Sequence, residues 1–277
     1  MDEKKCKNKN GPNMITRLMH YITILFYFFK RDFLIHKKTF LNDCINYGIL
    51  WPLTFGLSFT VLRKNILFSN QDIHFGSMIL VGSVVVPMMV IAYRITFDLM
   101  FDLEGRKYIL YQISVLPVKL ILLQRVLFAS LYTFVISSLL FPASIIFLQG
   151  HFIIESHSWF LLLTFLFLSS VAMSAMQQLF AVLLTVEKLH IFWVRVNGVL
   201  MSMGGSFIQT TPLLKVPVIG ILCFANPVFH IAEGVRHILF PTLATMNVGI
   251  ISGYLIFITG SATVLTSYFL KKRIDHI

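Results

Sequence analysis

The chain predicts an all-α integral membrane protein with six transmembrane helices, and three observations carry that reading. Of its 277 residues, 57% are hydrophobic and only 13% are charged. Six apolar runs are each long enough to cross a bilayer. The basic residues gather at alternate joints between those runs. A helix rises about 1.5 Å per residue, so roughly 20 apolar residues cover the hydrocarbon core. The expected spans are Leu41–Leu62, Phe75–Tyr93, Leu120–Leu148, Trp159–Leu184, Ile191–Ile208 and Met246–Leu270. A soluble domain of this size has no means of hiding so much apolar surface.

The first thirteen residues are polar. After them, Ile15, Leu18, Met19, Ile22, Phe26, Phe29 and Phe33 recur at spacings of three and four, with Arg17, His20, Thr23, Lys30 and Arg31 mostly between. This pattern predicts an amphipathic helix lying in the cytosolic interface. A short seventh span over the same residues is the alternative. A secretory signal is not expected, because no small-residue cleavage site precedes Lys30-Arg31-Asp32. The expected organisation is a tail and interfacial helix over 1–40 and a six-span domain over 41–277.

The net charge of +11 would suggest nucleic acid in a soluble protein. Here it follows the membrane instead. With the amino terminus inside, all of the 23 Lys and Arg except Arg63, Lys64, Lys215 and Arg236 fall on the cytosolic side. The positive-inside rule then places both termini in the cytosol and favours an even number of spans. Arg94, Arg125 and Arg195 lie near cytosolic helix ends, where a long side chain is expected to snorkel to water.

Two joints exceed what a connector needs. Asp98–Val118, on the cytosolic side, opens with Asp98, Asp102 and Glu104 around Gly105, then turns apolar and aromatic. Phe97, Phe101, Tyr108, Tyr111 and Val115 share one side of a helix. It reads either as a loop resting on the membrane or as a docking helix for a cytosolic partner. Thr210–Thr245, on the far side, is broken at Pro212 and Pro217. Asn226-Pro227 is an N-cap followed by Pro at the first helical position. Glu233 stands three residues before Arg236 and four before His237, so either pair fits one helix face. A helical hairpin dipping into the outer leaflet is expected.

No P-loop motif is present, so phosphates cannot be cradled in that manner. The Cys and His residues have no metal-ligand spacing, and no metal site is expected. Gln177 and Gln178 in the fourth span are expected to join helices by hydrogen bonds. Gly198, Ser202 and Ser206 repeat every four residues, as do Gly249 and Gly253. Such rows serve close helix packing, within the chain or between subunits.

Three stretches together resemble the permease subunits of ABC-2 type ATP-driven exporters. Phe97–Gln124 is similar to that family's cytosolic loop, with an acidic turn, Glu104-Gly105, and then Leu116-Pro117 before the third span. Asn226–Leu239 resembles its Asn-Pro…Glu-x-x-Arg segment. Phe29–Phe59, with Arg31-Asp32, Trp51-Pro52 and Phe55-Gly56, resembles its interfacial helix and first span. Arg106-Lys107 departs from the Gly-Thr often found there, which leaves the subgroup open.

The resemblance implies a permease without its own ATPase site. It implies two copies of a cytosolic ABC ATPase that use ATP and Mg, and a second permease subunit, identical or not. It implies coupling through Asp102, Glu104, Gly105, Arg106, Tyr108 and Arg31, and an outer gate at Asn226, Pro227, Glu233 and Arg236. No cofactor on this chain and no nucleic-acid partner are implied. The location would be the plasma membrane, in contact with its lipid, which is the inner membrane of a Gram-negative cell. The substrate would be an amphipathic, lipid-like, drug-like or glycan molecule. An enzyme acting on lipid-linked substrates through His230, Glu233 and His237, and a non-transporting scaffold, are the rival readings.

Overall fold

The computed structural model describes residues 14–54, 58, 72–105, 107–147, 158–206 and 214–275. Among these the chain is helical throughout, with no strand. The long elements are α1 (Met14–Ile45), α2 (Asp72–Gly105), α3 (Lys107–Val115), α4 (Val118–Phe147) and α5 (Trp159–Leu183). Short helices follow: α6 (Leu189–Phe192), α7 (Gly198–Met203), α8 (Pro217–Phe224) and α9 (Pro227–Leu239). The last is α10 (Val248–Asp275).

Four helices among the described residues are long and apolar enough to span a membrane: Ile79–Gly105, Val118–Ala143, Trp159–Leu183 and Val248–Ile274. They correspond to the second, third, fourth and sixth expected spans. The bent pair α8–α9, turned through 85°, adds a fifth if it counts as one span.

The first expected span continues into residues outside the described set, and what precedes it differs from expectation. The interfacial helix and the start of that span form one helical run from Met14 through a π-helical turn at Asn46–Leu50 to residue 54. The run follows α4 rather than lying apart from it. Gln124 donates to Asp32 at 2.8 Å, Phe29 meets Phe128 edge-on, and Phe40 packs on Tyr132. Gly48, in the π turn, is buried; an added Cβ would sit 3.6 Å from Leu139. The amphipathic helix forms, and part of its apolar face covers the neighbouring helix α4.

The fifth expected span, Ile191–Ile208, is also broken. A π turn at Trp193–Asn197 separates α6 from α7, and α7 ends at Met203 before Gly204-Gly205. Gly205 has φ 59°, the left-handed region where a side chain is strained. Two adjacent glycines therefore stop a helix that composition alone would continue.

The Asp98–Val118 joint is not a loop. Helix α2 runs through the acidic residues to Gly105, α3 follows, and α4 restarts after Pro117. Its aromatics do not share one face either: Phe97 is buried against Phe192, whereas Phe101 and Tyr111 are exposed.

The centre is α5, which touches α2, α4, α9 and α10. Its Phe165 and Leu166 join Leu80, Met88, Val228, Ala232 and Leu255 in the largest apolar cluster. Gly234 of α9 meets the ring of Phe165 so closely that a Cβ would overlap it. Overpacking of this kind costs about 1–3 kcal/mol. Gly234→Ala is expected to lower the unfolding temperature of the purified protein in detergent, and Phe165→Leu in the same chain to recover most of the loss. Unchanged stability in the single variant would rule out this close approach.

Candidate functional site

Two polar clusters, at opposite ends of the bundle, hold the residues singled out by sequence. The first cluster starts from Asn226. Its side chain accepts from the Val228 N–H at 2.9 Å, capping α9, and Pro227 takes the first helical position. The same side chain donates to the Leu200 carbonyl at 2.7 Å, which ties the cap to α7. Three residues apart on α9, Glu233 and Arg236 pair at 2.7 Å, and both are almost fully buried. Glu233 also accepts from the Thr245 N–H and hydroxyl at 2.8 and 2.7 Å. Arg236 donates to the Gly205 carbonyl. One ion pair thus links α9 to the break after α7 and to the segment leading into α10.

Of the rival trio, His230 lies 2.8 Å from the Phe224 carbonyl and stacks on Tyr254 at 3.7 Å, whereas Glu233 is held by Arg236 and Thr245. Among the described residues no group of three or more His, Cys, Asp or Glu is placed to hold a metal ion.

At the other end, the carboxyl ends of α2, α5 and α10 meet. Glu104 accepts from the Val186 N–H at 2.6 Å. Arg273 donates to the Val182 and Leu184 carbonyls, both at 2.9 Å, and lies 4.0 Å from Glu104. It thereby satisfies carbonyls left unpaired at the end of α5. Asp102 is bound by Arg125 of α4, which also donates to Gln112 of α3 at 2.7 Å. Gln112 donates in turn to the Tyr108 hydroxyl at 3.2 Å. Arg31 of α1 lies over the Tyr108 ring at 3.5 Å, close enough for cation–π attraction. Asp102, Glu104, Tyr108 and Arg31 therefore share one region. Gly105 ends α2 with no atom within 4 Å of an added Cβ, and Arg106 lies outside the described residues.

Two of the arginines expected to snorkel are committed elsewhere. Arg125 binds Asp102, and Arg94 donates to Asp43 at 2.9 Å. The Tyr132 hydroxyl also donates to Asp43, at 2.6 Å. Asp43 is buried and joins α1, α2 and α4, and its partners lie far from it in the sequence. An acid so close to an apolar run was the available signal. Arg195 is exposed, as a snorkelling side chain would be.

The glutamines bond between helices: Gln177 donates to Asn197 at 3.1 Å and Gln178 to the Leu122 carbonyl at 3.4 Å. The small-residue row behaves differently. Ser202 is exposed and bonds back to the Gly198 carbonyl, and a Cβ at Gly198 would meet only the Trp193 carbonyl. Of that row, Ser206 alone is buried. The close approach falls one step away, where Gly204 abuts Val228. Gly253 meets nothing within 4 Å.

No protein-family model matches the chain, and no curated protein matches it.

Removing one partner of a buried ion pair leaves an unanswered charge, at a cost of about 3–5 kcal/mol. Glu233→Ala is expected to cause a large fall in the unfolding temperature in detergent, whereas Ala at exposed Ser202 leaves it unchanged. Equal effects at the two positions would refute the assigned role of the pair.

Proposed function

We propose that this chain is the permease subunit of an ATP-driven exporter, working as a dimer and powered by a separate cytosolic ATPase. The observation that supports it most is the placement of α3. This nine-residue helix sits between two long apolar helices, with Leu110 and Tyr111 exposed on it. Its base is tied through Gln112, Arg125 and Asp102 to α4 and α2. Through Glu104, α2 is tied in turn to the ends of α5 and α10. Force applied to α3 from outside would reach four membrane helices through ionic contacts. An apolar, aromatic surface beside charges is also what a protein partner needs.

The finer layout belongs to the same proposal. In it α1 rises from the cytosol, α2 returns, and α4 and α5 form the third and fourth spans. The broken segment α6–α7 rises as the fifth and α10 returns as the sixth. The pair α8–α9 forms a hairpin at the outer side, near the exit, and both termini lie in the cytosol. Meeting ends at Glu104, Val186 and Arg273 are consistent with this alternation. The outward-facing row of Gly198 and Ser202 would be available to the second subunit. The exported molecule would be amphipathic, lipid-like, drug-like or glycan in character.

The test is coupling. Charge reversal at Glu104, or deletion of Asp102–Tyr111, should leave ATP hydrolysis by the assembled ATPase in place while export into vesicles falls at least about tenfold, a barrier change of about 1.4 kcal/mol. Normal export by both variants would overturn the proposal, as would failure of any nucleotide-binding protein to assemble with the chain.

A further inference from the structure

Three helices turn their charges toward one seam. On α1 these are Asp32, His36 and Asp43; on α2, Arg94, Asp98 and Asp102; on α4, Arg125 and Tyr132. Spacings of four and seven keep each set on one helix face. They meet in three rungs. Asp102 with Arg125, beside Asp32 with Arg31, forms the first. His36 and Asp98, 2.9 Å apart, form the second. Asp43 with Arg94 and Tyr132 forms the third.

The ladder reaches far from the end of the bundle. Arg94 lies ten residues before Glu104 on α2, a rise of about 15 Å. Glu104, Leu184 and Arg273 share one level through their contacts. Over the same depth α5 carries no charged residue from Ser174 to Leu183, and α10 carries none from Thr263 to Leu270, before Lys271–Arg273 at its end. Over most of this depth one side of the bundle is therefore uncharged where the other carries ionic groups.

A cavity of about 260 Å³ opens along the first two rungs. Two guanidinium groups, Arg31 and Arg125, face three carboxylates, Asp32, Asp98 and Asp102, with His36 beside them. The carboxylates thus outnumber the guanidinium groups by one. The carboxylates are not equivalent. Asp32 is held by Gln124 and Arg31, and Asp102 by Arg125. Asp98 is 47% exposed and, among the described residues, has His36 as its one partner. Arg31, by contrast, is engaged by both Asp32 and the Tyr108 ring. The same cavity is lined by Ile35 and Phe101, which are 55% and 48% exposed. Exposed apolar side chains thus stand beside the ionic ones in its wall.

We infer that this cavity binds the ammonium headgroup of an amphiphile, held by Asp98, with the apolar tail leaving between Ile35 and Phe101 into lipid. An ammonium supplies three donors to an open carboxylate acceptor. The site goes beyond the exporter reading and is read by equilibrium binding without any ATPase, so either can fail alone.

The probe is radiolabelled dodecylammonium, with dodecanol and dodecyl sulfate as controls, and the full chain in nanodiscs of phosphatidylcholine. The natural protein should bind the ammonium at least about tenfold more tightly than the alcohol, as expected for a charge-assisted hydrogen bond. Asp98→Asn should bring the two within about twofold of each other without lowering the unfolding temperature. Ile35→Trp, which leaves every charge in place, should weaken binding by closing the mouth. Competition by phosphatidylethanolamine in the disc would identify a membrane lipid as an occupant, and its absence a free amphiphilic amine; both keep the ammonium chemistry. Full preference retained by Asp98→Asn, or sulfate bound as tightly as ammonium, would overturn the assignment.

Discussion

Hydrocarbon offers a charge no water, so each ion in or near the apolar part of this bundle has to be answered by another group of the chain. That constraint fixes which helices are neighbours. Apolar packing in lipid has little directional preference, since tails and side chains are equally oily. Ion pairs are directional. Asp43 with Arg94 holds α1 against α2 and α4, and Glu233 with Arg236 holds α9 against the break after α7. Each joins segments far apart in the chain, and each is surrounded by contacts that alone would permit sliding.

The two ends of the molecule are consequently built differently. The cluster around Glu233 and Arg236 is closed: acid, base, cap and neighbouring carbonyls are mutually engaged and buried. The opposite cluster is partly open, with Arg31, Asp98 and Glu104 each accessible on one side. A closed cluster suits a fixed joint, and an open one suits a surface that something else acts upon. The 34 residues of α2 connect the two ends as one helix, even across Pro87. On the exporter reading, this helix is the element that would carry displacement from one end to the other.

Much of the fold was legible in the sequence because apolar run length is a local property, and four runs became four long helices. The Glu233–Arg236 pair was legible for the same reason, since three residues on a helix are neighbours. Gln177 was legible because an amide inside a span has few other uses. Asp43 was not, because its partners Arg94 and Tyr132 lie 51 and 89 residues away. Arg94 was misread with it: proximity to a helix end suggested water, and tertiary contact supplied a carboxylate instead. The acidic stretch before Gly105 looked like a turn because Asp and Gly are weak helix formers, yet α2 absorbs them. The row through Gly198 showed where small residues recur but not which way they point. A π turn just before it resets the phase of the helix.

The position of α5 in the middle of the bundle bears on how the chain is assembled in a cell. Helices are delivered to the membrane in chain order, so α2 and α4 arrive before the element both of them pack against. Helix α2, the most enclosed of the four long helices in the finished protein, must spend that interval without the face that α5 covers. Until α5 is synthesised, insertion machinery or lipid has to stand in for it. A chain truncated between Phe147 and Trp159 would therefore leave α2 and α4 without the helix that both pack against.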